Sequence, residues 1–337
     1  MRRAQADVRE DRGREHLAFV AILFVIALLI LLVPGRSQAQ PQGDLLPLTV
    51  GHQPIVPWST AMVAAGKGFF TQVGLRVERK VVPGSDVIRS GLESGEIGVG
   101  GSSLDALVRA HVAGFDFKLV YPAVFYDPRS PDAYIVVRSD LAVTTAKDLE
   151  GKTVALTFGT IADVGPKAWL RANGADISKV RFVEVRFPDM VGALETKRID
   201  AAHIVEPFLT AALDRGIARI LGPDLDIIGG RFVVAGYIAK DSWLRANPEK
   251  ARRFTQAMER ATKFILENPQ ESIQVISKET RLEPGVVAKF FPKRFVAATQ
   301  VKPEELQRTI DFLAREQFID KTFNFREMIS DFVPIVR

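Results

Sequence analysis

Polar side chains follow several short apolar runs in this sequence, and in open α/β sheets such positions meet ligands. In the stretch AAHIVEPF, the carboxylate of Glu206 ends an apolar run. Ser102 and Ser103 follow a second run, and the tetrapeptide TFGT at 157–160 follows a third. These side chains can donate hydrogen bonds to a ligand or accept them from it. The sequence shows no nucleophile–base pair, Gly-x-Ser-x-Gly elbow or histidine cluster beside them. The pattern therefore favours noncovalent binding of a small molecule over catalysis.

The elements that must position these residues alternate between strand and helix from residue 46 onward. Strands are predicted at 46–52, 75–82, 97–100, 117–124, 153–156, 180–185 and 201–205, with helices between most of them. This βαβα alternation is typical of an α/β sheet. The chain is mostly helical after residue 248, with prolines near the predicted helix starts at Pro248, Pro269, Pro284 and Pro303.

A weak internal repeat supports two similar units. Segments 81–100 and 186–202 both run from strand to helix to strand. Each contains a Leu-Glu-x-x-x-Ile step, with the matching residues Leu92, Glu93 and Ile97 against Leu194, Glu195 and Ile199. The repeat places Ser102 and Glu206 near equivalent strand ends, and we expect these side chains to face each other across a cleft.

Length and composition limit the function further. The chain has 337 residues, which favours two lobes over one core. It has no cysteine, and its four histidines, His16, His52, His111 and His203, are not spaced as metal ligands. No metal or cofactor is therefore predicted, and His52 and His203 are predicted to be structural. The net charge of +5 comes without a Lys/Arg-rich block, so a nucleic-acid partner is not predicted.

The N-terminus predicts export. Residues 17–33 are uninterruptedly apolar, arginines precede them, and small residues follow at Ser37 and Ala39. This pattern predicts a signal peptide, 1–39, that is removed on the way to the periplasm. An uncleaved inner-membrane anchor through 17–33 is the alternative.

Four segments together carry a family resemblance: AAGKGFFTQVGLRVE (64–78), GLESGEIGVGGSS (91–103), DLEGKTVALTFGT (148–160) and LETKRIDAAHIVEPF (194–208). With them the sequence resembles periplasmic solute-binding proteins of ABC importers, of the nitrate/sulfonate/taurine and thiamine-pyrimidine-precursor type. The resemblance implies an α/β, type II periplasmic-binding-protein fold, with two α/β lobes joined by two crossing strands around a central ligand cleft. The crossings would lie near 133–137 and 233–239. Lobe 1 would then comprise 44–134 plus 238–337, and lobe 2 135–237. Some relatives carry a Cys-rich iron motif, which this chain lacks.

Each candidate ligand contact has a structural alternative. Trp58, Ser59 and Thr60 lie where the family's first cleft loop lies, but Trp58 also suits a core, and the hydroxyls suit a helix cap. Ser102 and Ser103 are predicted to cap a helix and to donate to a ligand.

The second lobe offers similar candidates. In the 157–160 turn, Thr157 and Gly159 are predicted ligand contacts, Thr160 a contact or a cap, and Phe158 cleft wall or core. Tyr126 and Phe187 end strand-like runs and are further candidates for the cleft wall.

Glu206 is either a helix-capping carboxylate or an acceptor for an N–H or ammonium group of the ligand. The candidate loops contain no Arg or Lys. A zwitterion, an aminosulfonate or a nitrogen heterocycle is therefore favoured over a bare polyanion.

Three functions remain in competition at this point. The first is a monomeric binding protein, not an enzyme, that captures a small polar organic solute and delivers it to a membrane permease. The solute would be sulfonate- or taurine-like, a nitrogen heterocycle or an aromatic acid. The second is a membrane-tethered sensory domain, which an uncleaved N-terminus would favour. The third is an enzyme on the same fold.

Overall fold

The computed structural model describes residues 44–53, 58–82, 85–291 and 298–333. The predicted leader, 1–39, lies outside these ranges. The strands are β1 (Leu46–His52), β2 (Leu75–Val81), β3 (Val99–Ser103), β4 (Phe117–Tyr126), β5 (Ala133–Arg138), β6 (Thr153–Leu156), β7 (Arg181–Glu184), β8 (Ala201–Val205), β9 (Ala218–Gly222) and β10 (Phe232–Lys240).

The helices connect these strands and cover the sheets. They are α1 (Ser59–Gly66), α2 (Phe69–Gln72), α3 (Ser85–Ser94), α4 (Leu104–Val112), α5 (Ile161–Ala172), α6 (Phe187–Glu195), α7 (Phe208–Asp214), α8 (Asp241–Ala246), α9 (Pro248–Glu267), α10 (Pro269–Thr280), α11 (Pro284–Phe290) and α12 (Pro303–Arg315). The prolines that begin α9 to α12 confirm the predicted helix starts, because proline suits a position whose N–H has no partner within the helix.

Two five-stranded sheets form the framework, and both have the same topology. The first sheet has the order β2-β1-β3-β10-β4, and the second has the order β7-β6-β8-β5-β9. In each, three neighbouring strands are parallel and the fourth runs antiparallel to them. β3 is the third strand of the first sheet, and β8 is the third strand of the second. The two repeated sequence segments therefore lead into equivalent strands of the two sheets.

The chain changes sheets just before the strands that were predicted as crossings. β4 ends in the first sheet at Tyr126 and β5 begins in the second at Ala133, so the first change lies in 127–132. The return lies in 223–231, between β9 and β10. The predicted crossing positions are therefore wrong by a few residues: β5 and β10 each pair within a single sheet. A strand pattern shows that a segment is extended, but it does not show which sheet the segment joins. The predicted lobe limits, 44–134 plus 238–337 and 135–237, stay a prediction.

Alternating side chains bury both faces of each sheet. In the second sheet, Val136 and Ala202 belong to one apolar cluster, while Val137 and Ala201 belong to another. This follows from the two-residue period of a strand. Among the helices within the described ranges, none is long and apolar enough to cross a membrane.

Candidate functional site

A cavity of about 400 Å³ joins two of the predicted contacts, Ser102 and Gly159. Ser102 lies at the carboxyl end of β3 in the first sheet. Gly159 lies in the turn after β6, a strand of the second sheet. The cavity therefore receives residues from both sheets, at strand ends where α/β folds bind ligands.

The 157–160 turn leads into α5. Thr160 caps this helix, because its Oγ1 accepts a hydrogen bond from the backbone N–H of Ala162 at 3.2 Å. The same hydroxyl donates to the carbonyl oxygen of Thr157 at 2.7 Å, which closes the turn. The capping role predicted for Thr160 is thus confirmed, and Thr157 donates its own hydroxyl to the carbonyl oxygen of Val185 at 3.3 Å.

Gly159 has a conformational role in this turn. Its φ of 73° lies in the left-handed region that favours glycine. A Cβ there would have ordinary space, since the nearest atom, Nη2 of Arg109, would lie 3.9 Å away. Phe158 is 39% exposed, with the Lys167 ammonium 5.2 Å from the centre of its ring. Phe158 is therefore not a core residue.

The serines before α4 do not cap it with their side chains. Ser103 is the N-cap residue and makes no side-chain cap hydrogen bond, and Ser102 donates to the carbonyl oxygen of Ser103 at 3.1 Å. The capping role predicted for both is wrong, because the Ser102 hydroxyl bonds locally, to the next residue along the chain. Ser102 is 8% exposed and lines the cavity.

The first cleft loop of the family corresponds here to buried residues. Trp58, Ser59 and Thr60 are buried beside the first sheet, and none of them lines this cavity. Their side chains are 3%, 0% and 0% exposed. Trp58 packs edge-on against Tyr237, with ring centroids 5.2 Å apart, and belongs to the apolar cluster beneath α1. Trp58 is therefore a core residue in this structure. Ligand contact by these three residues stays a prediction.

Glu206 lies just before α7 and bonds to a residue of that helix. Its carboxylate accepts from the backbone N–H of Thr210 at 3.1 Å and from the Thr210 hydroxyl at 3.0 Å. Burial raises the pKa of Glu206, and the two Thr210 hydrogen bonds oppose that effect. These two hydrogen bonds are the contacts expected of a carboxylate that caps the following helix. Glu206 is not among the residues that line the cavity with Ser102, and its contact with a ligand stays a prediction.

Tyr126 ends β4, directly before the first change of sheets, and Phe187 is the first residue of α6. Tyr126 is 1% exposed, and its hydroxyl donates to Asp226 at 2.6 Å. The ring of Phe187 lies 6.2 Å from that of His203, and neither aromatic residue lines the cavity. His203 has a partner that the sequence did not reveal: its Nδ1 lies 2.5 Å from Oδ2 of Asp224.

Two arginines at the cavity were missed. The candidate loops themselves contain no basic residue, but Arg89 on α3 and Arg109 on α4 both line the cavity. Arg109 donates to Asp105 at 2.9 Å, and burial raises the pKa of Asp105 despite this neighbour. The i,i+4 spacing of Asp105 and Arg109 was the available signal, and it placed the pair on one helix face. It could not show that this face points at a turn of the other sheet.

Comparison with known proteins identifies the family. The NMT1/THI5-like family model matches residues 58–272, and the chain belongs to this family. A putative aliphatic sulfonates-binding protein of Escherichia coli is 25% identical over 260 residues, covering 73% of this chain and 77% of that protein. A putative ABC transporter periplasmic binding protein of Brachyspira hyodysenteriae is 26% identical over 206 residues, covering 58% of this chain and 59% of that protein.

Solved structures show that the fold is that of the periplasmic binding proteins. The alkanesulfonate-binding protein SsuA of Xanthomonas axonopodis, bound to MOPS, superposes with a TM-score of 0.71 at 20% identity, covering 86% of this chain and 99% of that one. The desulfurization enzyme DSZB shares the fold at a TM-score of 0.62 and 15% identity, with 86% and 97% covered. The fold therefore occurs in both binding proteins and an enzyme.

Proposed function

We propose that this protein is the extracytoplasmic substrate-binding component of an ABC importer. It captures a small polar organic solute between its two sheets and delivers it to a membrane permease. The observation that carries the proposal is the cavity shared by Ser102 and Gly159. A site built by two similar α/β units closes when a ligand contacts both, and closure is a signal that a permease can recognise.

The names of the relatives support the importer assignment. They include a putative aliphatic sulfonates-binding protein and a putative ABC transporter periplasmic binding protein. The apolar run at 17–33 supports export, with either a cleaved leader or a retained anchor. We propose a monomer in the periplasm, because one chain supplies both sheets of the site.

Thermal denaturation with a solute panel tests the proposal. The purified protein is unfolded and refolded to release any bound solute, then mixed with sulfonates, taurine, nitrate, aromatic carboxylates, pyrimidines and neutral amides. A solute at 100 times its Kd stabilises the folded state by about 2.7 kcal/mol, which raises the melting temperature by several degrees. No shift with any member of the panel would contradict the proposal.

The same samples distinguish a binding protein from an enzyme. A bound solute recovered with unchanged mass after prolonged incubation supports transport. Conversion of the solute into a product would instead favour an enzyme on the shared fold.

A further inference from the structure

We propose that Asp105 and Arg109 on α4 hold the second sheet closed against the first, through contacts that the chain makes with its own residues. Asp105 lies at the amino end of α5, and Arg109 lies at the turn that precedes this helix. The inference goes beyond the proposed function, because it concerns the closure of the two sheets and not the identity of a solute. Contacts of this kind act whether or not a solute is bound.

Asp105 lies beside the first residue of α5. It is in the first turn of α4, yet its side chain is 0% exposed. Burial raises the pKa of Asp105, and the guanidinium of Arg109 and the backbone N–H of Ile161 oppose that effect. Ile161 begins α5, a helix of 12 residues. Because the amino end of a helix carries a partial positive charge, the carboxylate on α4 stabilises this end of a helix that belongs to the other sheet.

Arg109 lies one helical turn further along α4 and reaches the same region. Its Nη2 would be 3.9 Å from a Cβ on Gly159, and it donates a hydrogen bond to Asp105 at 2.9 Å. The bond between Asp105 and Arg109 stays within α4, so it persists when the sheets move apart. The contacts with Gly159 and Ile161 cross from one sheet to the other, so closure makes them and separation breaks them.

Apolar packing between α4 and α5 adds to these polar contacts. Leu107 and Val108 of α4 belong to the same buried cluster as Ile161 and Val164 of α5. Separation of the two helices would expose part of this surface to water, which is unfavourable. The same pair of helices therefore supplies both the buried charge and an apolar contribution to closure.

A second contact between the sheets is more exposed. Lys289 of α11 lies 2.6 Å from Asp214 of α7, and their side chains are 48% and 57% exposed. Val287 of α11 belongs to the apolar cluster of the first sheet, whereas Ala212 of α7 belongs to a cluster of the second. Exposed ion pairs contribute little to stability, because water and salt screen them. The buried contact at Asp105 is therefore the one expected to control closure.

Loss of the charge at Asp105 should favour separation of the sheets. Burial of a carboxylate opposes closure, but Arg109 remains beside it in either arrangement and limits this cost. Asp105→Asn removes the attraction between the carboxylate and the amino end of α5. It also leaves Arg109 facing that positive end without compensation. We therefore expect the ratio of separated to closed protein to rise severalfold.

Pulsed electron spin resonance between two nitroxide labels tests the inference without any added solute. The chain has no cysteine, so labels attach only to cysteines introduced at Gln256 on α9 and Glu195 on α6, which are both exposed. We expect one closed population of distances in the wild type and a second population in Asp105→Asn. Asp241→Asn is the matched control, because Asp241 forms an i,i+4 ion pair with Arg245 on α8, beyond the far end of β10. It should leave the distances unchanged.

Ile161→Pro tests the other side of the contact. It removes the backbone N–H that faces Asp105 and changes no charge. Proline suits the first position of a helix, and Thr160, with φ −134° and ψ 174°, has the extended conformation that suits the residue before proline. We expect α5 to form and the second population of distances to appear. Ile161→Val keeps the N–H and trims the side chain, so it is the control for lost packing.

The outcomes separate this inference from the proposed function. Wild-type distances in Asp105→Asn and Ile161→Pro would overturn it, as would a wild type that already shows the second population. Equal second populations in Ile161→Val and Ile161→Pro would also overturn it, because packing alone would then explain the change. If Asp105→Asn does not fold, the comparison of Ile161→Pro with Ile161→Val decides. A solute panel without any binder would contradict the proposed function and leave this inference standing.

Discussion

Nδ1 of His203 lies 2.5 Å from Oδ2 of Asp224, and both side chains are almost completely buried. His203 is on β8, at the centre of the second sheet. Asp224 lies in the 223–231 segment, through which the chain returns to the first sheet. This contact therefore ties the second sheet to one of the two segments that join the sheets.

Loss of the carboxylate at Asp224 is expected to be costly. Asp224→Ala leaves a buried imidazole without its partner and should lower the free energy of unfolding by about 3 kcal/mol, as measured by urea denaturation. His203→Ala and the double variant complete a mutant cycle. We expect the double variant to lose clearly less stability than the sum of the two single variants. Additive losses would show that the two residues are not coupled.

Gly159→Ala should destabilise the protein through backbone conformation alone. The φ of 73° costs an L-residue about 1 kcal/mol, and the added Cβ has ordinary space. Gly192→Ala is the matched control, because Gly192 lies inside α6 with no atom near the position of an added Cβ. That change should stabilise the protein by about 0.5–1 kcal/mol. Thermal melts of the two variants that shift in the same direction would contradict this explanation.

Gly101→Ala should disturb Trp58. A Cβ at Gly101 would lie 2.8 Å from the Trp58 ring, which belongs to the buried core of the first-sheet unit. Overpacking of this kind costs about 1–3 kcal/mol. We expect a lower melting temperature and a changed tryptophan emission spectrum. Trp58→Phe in the same chain should recover part of the loss. No recovery would mean that the clash lies elsewhere.

Glu206 is expected to make stability depend on pH. Because burial raises its pKa above 4.5 in the folded state, its contribution to stability is present below about pH 4.5 and is lost as the pH rises through the folded-state pKa. Glu206→Gln removes this titration, so the stability of the variant relative to the wild type should increase with pH from 4.5 upward. Urea denaturation across this range measures the difference. Parallel pH profiles would contradict the expectation.

Loss of the Thr160 cap should affect α5. Thr160→Ala removes the acceptor for the N–H of Ala162 and should cost about 1 kcal/mol in the free energy of unfolding. Thr160→Ser retains the hydroxyl and should cost much less. Equal losses in the two variants, measured by thermal melts, would show that the methyl group and not the cap matters.

Local patterns predicted most of the elements. β1 was predicted at its observed residues, and the prolines marked the starts of α9 to α12, because strand alternation and proline geometry act over a few residues. The Thr160 cap follows from the same short-range chemistry. Local patterns did not predict the segments in which the chain passes from one sheet to the other. Those segments depend on the pairing of β5 and β10 with strands distant in sequence.

The sequence by itself determined the α/β class, the repeat that places β3 and β8 equivalently, and the polar residues at the strand ends. Each of these depends on side-chain period and turn chemistry along the chain. Only the tertiary structure decided which of those residues share a cavity. In the folded chain Trp58 is buried, and Glu206 accepts a hydrogen bond from Thr210. Arg109 extends from its helix to the turn at Gly159. Such neighbours are set by the packing of two sheets against each other, and no local pattern in the sequence contains that information.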